Sequence, residues 1–149
     1  MAIGEFCNRE VIIARREESV LEAARLMRQY HVGAVVIVDE LNDKRYPVGV
    51  VTDRDLVMEV LVNKLDPETV SLGEILADSV VRVKESDGVF DTVQHMRSGG
   101  VRRAPVVNDA GELVGIIAVD DLVALLAEEM TELYKLMRHE QEQEIRLRR

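Results

Sequence analysis

The octapeptide GVVTDRDL at 49–56 is written a second time, as GIIAVDDL, at 115–122. The duplication extends well beyond this phrase. Displaced by 69 residues, Gly4-Glu5 falls on Gly73-Glu74, Val11 on Val80, Val20 on Val89, Met27-Arg28 on Met96-Arg97, Val32 on Val101 and Val38 on Val107, without a gap. The first copy then carries a longer loop, DELNDKRYP against NDAGEL. Past it the offset is 66, and Gly49, Asp55, Leu56 and Val57 meet Gly115, Asp121, Leu122 and Val123. A period this long lies outside the roughly 20–50 residues of solenoids and propellers. It reads as two copies of a small domain, each too small to bury much apolar surface alone. The copies are therefore expected to pack together about a pseudo-twofold axis.

Each copy has the same order of elements. A short extended stretch (VIIA at 11–14, VVRV at 80–83) leads into a helix. In the first copy Ser19 and Glu22 have capping-box spacing, and Val20, Ala23, Ala24 and Met27 form one apolar stripe at helical intervals. A buried strand follows (AVVIV, APVVN), then a turn at Asn42-Asp43 or Asp109-Ala110-Gly111, then a strand running straight into a second helix. The expected fold class is α+β: two β-α-β-β-α repeats plus a C-terminal helix. Residues 1–63 form the first repeat, 64–71 (KLDPETVS) a linker, 72–127 the second repeat and 128–149 a helical tail. In the tail Leu126, Met130, Leu133 and Met137 are spaced as a two-heptad seam, and from Arg138 on the polar sequence is expected to fray.

With 149 residues, 47% hydrophobic and 3% aromatic, the chain can bury a sizeable, mostly aliphatic core. A formal net charge of −9 disfavours nonspecific binding to nucleic acid or an anionic membrane. It leaves room for one small anion held by a local cluster of arginines. The single cysteine, Cys7, excludes an internal disulfide and fits a reducing compartment. The start MAIGEFCNRE lacks the pattern of a signal peptide, and runs such as AVVIV fall far short of the roughly 20 apolar residues of a membrane helix. A cytoplasmic protein is expected.

In T-x-x-D at Thr52–Asp55 the first reading is a capping box, with hydroxyl and carboxylate each bonding the other's backbone amide. Ala118 cannot cap, yet Asp121 persists beside Asp120 in the second copy. A ligand role accounts for that persistence, because a carboxylate at a strand-to-helix junction accepts hydrogen bonds from a ribose diol. Arg102-Arg103 is the second candidate, since paired guanidiniums suit phosphate oxygens. The aligned pair in the first copy is Gly33-Ala34. Two solvated surface arginines are the plainer alternative.

The order VGAVVIVD … GVVTDRDL, then VRRAPVVN … GIIAVDDL, resembles a tandem pair of CBS domains, the Bateman module, over roughly residues 3–127. The resemblance implies clefts between the repeats that bind adenosyl compounds: AMP, ADP, ATP, S-adenosylmethionine or NAD-like ligands. It implies threonine near ribose or phosphate and aspartate on the ribose hydroxyls, which carries over to Thr52 and Asp55 with Asp53 between them. In the second copy it carries over to Asp121, beside Asp120, whereas Ala118 departs from the pattern. It also implies that Arg102 and Arg103, before Ala104-Pro105, reach ligand phosphates, so that one cleft binds well and the other weakly or not at all. A homodimer is expected on the same ground.

His31, His95 and His139 have no partners at metal-ligand spacing, and a magnesium site at Asp53, Asp55, Asp120 and Asp121 is a minor alternative. No nucleophile arrangement or phosphate loop is present, so no catalysis is expected. The expected function is a regulatory module that binds an adenosyl nucleotide and signals to a protein partner in trans. The competing reading is a ligand-free structural or interaction module.

Overall fold

The computed structural model describes residues 1–148, in two compact units that meet in sequence at Ala118/Val119. The first unit holds two three-stranded sheets. In one, β1 (Ile13–Arg15) runs parallel to β2 (Ala34–Leu41), and β2 runs antiparallel to β3 (Lys44–Thr52). In the other, β4 (Val83–Lys84), β5 (Arg103–Val107) and β6 (Leu113–Ala118) repeat that order and those directions. The duplication extends to irregularities: the register slips between Ile37 and Val38 in one sheet and between the equivalent Val106 and Val107 in the other. The lead-in strands are shorter than the sequence suggests. Val80–Arg82 lie outside β4, and β1 starts at Ile13 rather than Val11.

Helix α1 (Val20–Tyr30) starts where Ser19 Oγ accepts from Glu22 N at 3.2 Å, and it buries Val20, Ala23 and Met27. It stops at His31, whose φ of 54° is left-handed. The equivalent helix α4 (Val89–Gly99) stops at Gly100 with φ 65°, a conformation that glycine adopts without steric cost. Between β2 and β3, Asn42 and Asp43 have φ of 53° and 62°. A two-residue loop with both φ positive has the twist that matches a hairpin. After β3, a short helix α2 (Asp53–Asp55) continues as a π-helical turn over Leu56–Leu61 that buries Val60.

The two copies are joined by an exchange of their leading segments. The 3-10 turn Ile3–Glu5 of the first copy docks on the second, with Ile3 N donating to Asp87 O (2.8 Å) and Gly4 N to Glu85 O (2.9 Å). Its equivalent, helix α3 (Leu72–Ile75), docks on the first copy, with Leu72 N donating to Glu18 O (2.8 Å) and Gly73 N to Arg16 O (2.9 Å). Ile3 and Leu72 are each 0% exposed, and Leu72 belongs to the same core as Ala14, Val20, Val35, Ile37 and Val51. Each copy thus buries a side chain of the other, which adds to the limited core that a unit of this size can build by itself. Arg82 adds a tie, donating from Nε and Nη2 to Pro47 O at 3.2 and 3.0 Å.

The second unit is helix α5, Val119–Leu147. The expected fraying after Arg138 is not found. The i,i+4 ion pairs Arg138–Glu142 and Arg148–Glu144 fall in this stretch, and such pairs offset the lack of an apolar face. Leu122 and Leu125 are buried, whereas Leu126, Met130, Leu133 and Met137 are exposed along the helix. No helix among the described residues is long and apolar enough to cross a membrane.

Candidate functional site

The end of β3 is fixed by a reciprocal cap. Asp55 N donates to Thr52 Oγ1 at 3.1 Å, and Thr52 N donates to Asp55 Oδ2 at 2.8 Å. The capping reading of T-x-x-D therefore holds, and it does not use up the carboxylate. One oxygen of Asp55 orients the side chain while Oδ1 is left for another donor. Asp53, exposed, is held at the same turn: its N donates to Gly33 O at 3.0 Å, and its Oδ1 accepts from Arg54 N at 2.9 Å.

The start of β5 supplies the opposite charge. A left-handed Gly100 ends α4, so the chain turns through Val101 and Arg102 and enters the sheet at Arg103, which pairs with Ala118. Gly33 is where the two charges come near one another. A Cβ built on it would lie 3.3 Å from Arg103 Nη2 and 3.4 Å from Asp53 Oδ2. A glycine here leaves that space to the two side chains.

Between these elements lies a cleft of about 500 Å³ lined by Val50, Thr52, Asp53, Arg54, Asp55, Ala77 and Gly100–Arg103. A second cavity, about 740 Å³, shares Val50, Asp55 and Ala77 with it and continues along Glu59, Asn63 and Glu74. Five of the candidates from the sequence, Thr52, Asp53, Asp55, Arg102 and Arg103, thus line one cleft. Ala104 and Pro105 do not line it. They are buried within β5, paired with Ile117 and Ile116, and they back the arginines instead of facing a ligand. Asp120 and Asp121 lie in the first turn of α5, in the other unit.

Sequence reasoning missed Val50, Ala77 and Gly33. Val50 was accessible, since it lies two residues before Thr52 and so shares a strand face with it. Ala77 had no local signal, because it reaches the site only through the exchange of leaders.

The cleft is amphoteric: carboxylates and a hydroxyl from the first copy face guanidiniums from the second. That combination suits a ligand with an anionic end and a hydroxyl-bearing middle.

The fold has clear relatives. A CBS domain profile matches the chain twice, at residues 3–62 and 72–128. An uncharacterised protein of Methanopyrus kandleri is 37% identical over 137 residues, covering 87% of this chain and 68% of that one. Hypoxic response protein 1 of Mycobacterium tuberculosis is 32% identical over 124 residues, covering 83% and 84%. Among solved structures, a CBS domain protein from Pyrobaculum aerophilum complexed with AMP superposes with a TM-score of 0.75 at 29% identity, covering 88% of this chain and 99% of that one. With two profile matches, a close superposition on a solved CBS domain protein and relatives along most of its length, the chain belongs to the CBS domain family and carries the domain twice.

Proposed function

We propose that the protein is a non-catalytic regulatory module that binds an adenosyl nucleotide in the cleft between the end of β3 and the start of β5. The observation that carries this reading is the meeting of Thr52, Asp53 and Asp55 with Arg102 and Arg103 around one cavity. Guanidiniums match phosphate oxygens in geometry and charge. Asp55 Oδ1 accepts from a ribose hydroxyl, and Val50 and Ala77 offer apolar walls to the base. The AMP bound by the Pyrobaculum aerophilum protein supports AMP as the first ligand to test. ADP, ATP, S-adenosylmethionine and NAD-like compounds share its adenosyl group.

A ligand held by both copies favours the arrangement of copies that it bridges, and that differential affinity is what a sensor needs. The output reaches a partner protein in trans from a homodimer. The exposed row Leu126, Met130, Leu133 and Met137 on α5 is the surface offered to a partner or a second copy.

Titration calorimetry with AMP on the wild type, Asp55→Ala and Arg103→Ala tests the site. Losing a hydrogen bond to a charged group costs about 1.5–3 kcal/mol, so each variant is expected to bind roughly 10- to 100-fold more weakly. Unchanged affinity in both variants refutes the assignment. No binding of AMP or of the other four ligand classes favours the interaction-module reading, for which the exposed row on α5 is the specific observation.

A further inference from the structure

The two leaders treat the neighbouring strand differently. In the first copy's sheet the leader crosses β3 where Leu76 lies over Gly49, and then departs from it. The next residues on each side, Val50 and Ala77, both line the open cleft. In the second copy's sheet the equivalent crossing is Cys7 over Gly115, where a Cβ would lie 2.6 Å from Cys7 Sγ. There the leader does not depart. Asn8 and Ile116, the counterparts of Ala77 and Val50, exchange two backbone hydrogen bonds, Asn8 N to Ile116 O and Ile116 N to Asn8 O, each 2.9 Å. Among the described residues no such bonds join Val50 to Ala77.

Arg9 fastens this contact from outside. Its Nη2 donates to Gly4 O at 2.8 Å, and its Nη1 donates to Val114 O at 3.4 Å and lies 3.5 Å from Glu85 Oε2. One guanidinium thus joins the leader, the edge of β6 and the segment after β4. The counterpart of Arg9 in the second leader is Asp78, which has no such reach or donors.

We infer that Cys7–Arg9 form a strap that zips onto the edge of β6 and fills the place where the second copy would hold a base, with Arg9 as its staple. A flat ring between two walls needs about 7–8 Å, twice an optimal carbon–carbon contact. A residue pair that exchanges both backbone bonds holds its Cα atoms about 5.5 Å apart. The strap and a stacked base are therefore mutually exclusive, and the chain takes one ligand until the strap is released. The exclusion of a ligand rests on the proposed nucleotide reading; the strap itself does not.

Amide hydrogen exchange read at Asn8 and Ile116, combined with calorimetric stoichiometry for AMP, tests both parts. In the wild type the two amides are expected to be protected like those of the β5–β6 ladder, with one AMP bound per chain. In Arg9→Ala, and in Asn8→Pro at Ile116, exchange is expected to rise about tenfold or more while β1–β3 amides stay unchanged, and a second AMP binds. Unprotected amides in the wild type, or unchanged exchange in both variants, overturn the strap. Loosened amides with AMP still at one per chain overturn its role in exclusion. A second AMP gained by Ala118→Thr with both amides still protected does so too. If AMP binds nowhere, the nucleotide reading fails while the exchange data still decide whether the strap exists.

Discussion

Lys44 Nζ lies 3.0 Å from Glu112 Oε1, and this ion pair joins the β2–β3 hairpin of the first copy to the turn before β6 in the second. Asn108 Nδ2 also donates to Glu112 Oε2 at 2.8 Å. The Asn108 hydrogen bond first, and Lys44 second, hold the Glu112 carboxyl below its ordinary range, while Glu112 raises Lys44. A depressed folded-state value means that Glu112 stabilises above its unfolded value and loses that contribution as pH falls through the folded one. Glu112→Gln is expected to melt slightly below wild type at neutral pH. The difference should shrink as pH drops below the ordinary glutamate range, and shrink also in high salt because the Lys44 end of the pair is exposed. Melting temperature against pH for both proteins checks this; a difference that persists into strong acid contradicts it.

Thr52 contributes to stability through its cap whether or not it meets a ligand. Thr52→Ala is expected to cost about 1 kcal/mol, the usual value of an N-cap hydroxyl. Thr52→Ser, which keeps the acceptor, should cost much less. Thermal denaturation of the two variants without ligand separates the cap from any binding role.

Gly49 and Gly115 are equivalent but not equally replaceable. A methyl on Gly49 meets the flexible end of Leu76, whereas one on Gly115 lies 2.9 Å from the backbone oxygen of Asn8 as well as against Cys7. Overpacking of this kind costs about 1–3 kcal/mol. Gly49→Ala should be partly rescued by Leu76→Ala, a coupling readable in a double-mutant cycle. Gly115→Ala should be the more damaging, and Cys7→Ala should rescue it incompletely. Denaturant midpoints of the five variants give the comparison.

Leu72 belongs to the second copy in sequence and to the first copy's core in space. Leu72→Ala is expected to cost about 2–5 kcal/mol, as for other fully buried leucines. Amide exchange should accelerate first in β1–β3, not in β4–β6. Ile3→Ala should do the reverse. Residue-resolved exchange decides whether the exchanged leaders divide the core in this way.

How much of this was legible depends on the range of the interaction. The strands AVVIV and APVVN, the turn at Asn42-Asp43 and the T-x-x-D cap follow from neighbours a few residues apart, and the structure keeps each of them. The doubled fold followed from the repeat offset. The short β1 and β4 were overestimated because only two or three residues of each find a partner on β2 or β5. Arg103 and Thr52 could be named singly from sequence. That they share a cleft with Ala77 depends on pairings between copies, which no local pattern encodes. The persistence of α5 to Leu147 was misread for another reason: its last turns are apolar-poor but rich in charge pairs at helical spacing.

The exchange of leaders also sets an order of assembly. As the chain is synthesised, β1–β3 are complete by Thr52, yet their core lacks Leu72 until the second leader has been made. Residues 2–8 are made well before the strands that receive them, which end at Ala118. Contacts spanning this much sequence must wait for loop closure, which slows folding relative to a chain of local contacts. A ribosome-bound first half lacks the Leu72 side chain that its core receives from the second, and so carries an unsealed core until its twin arrives.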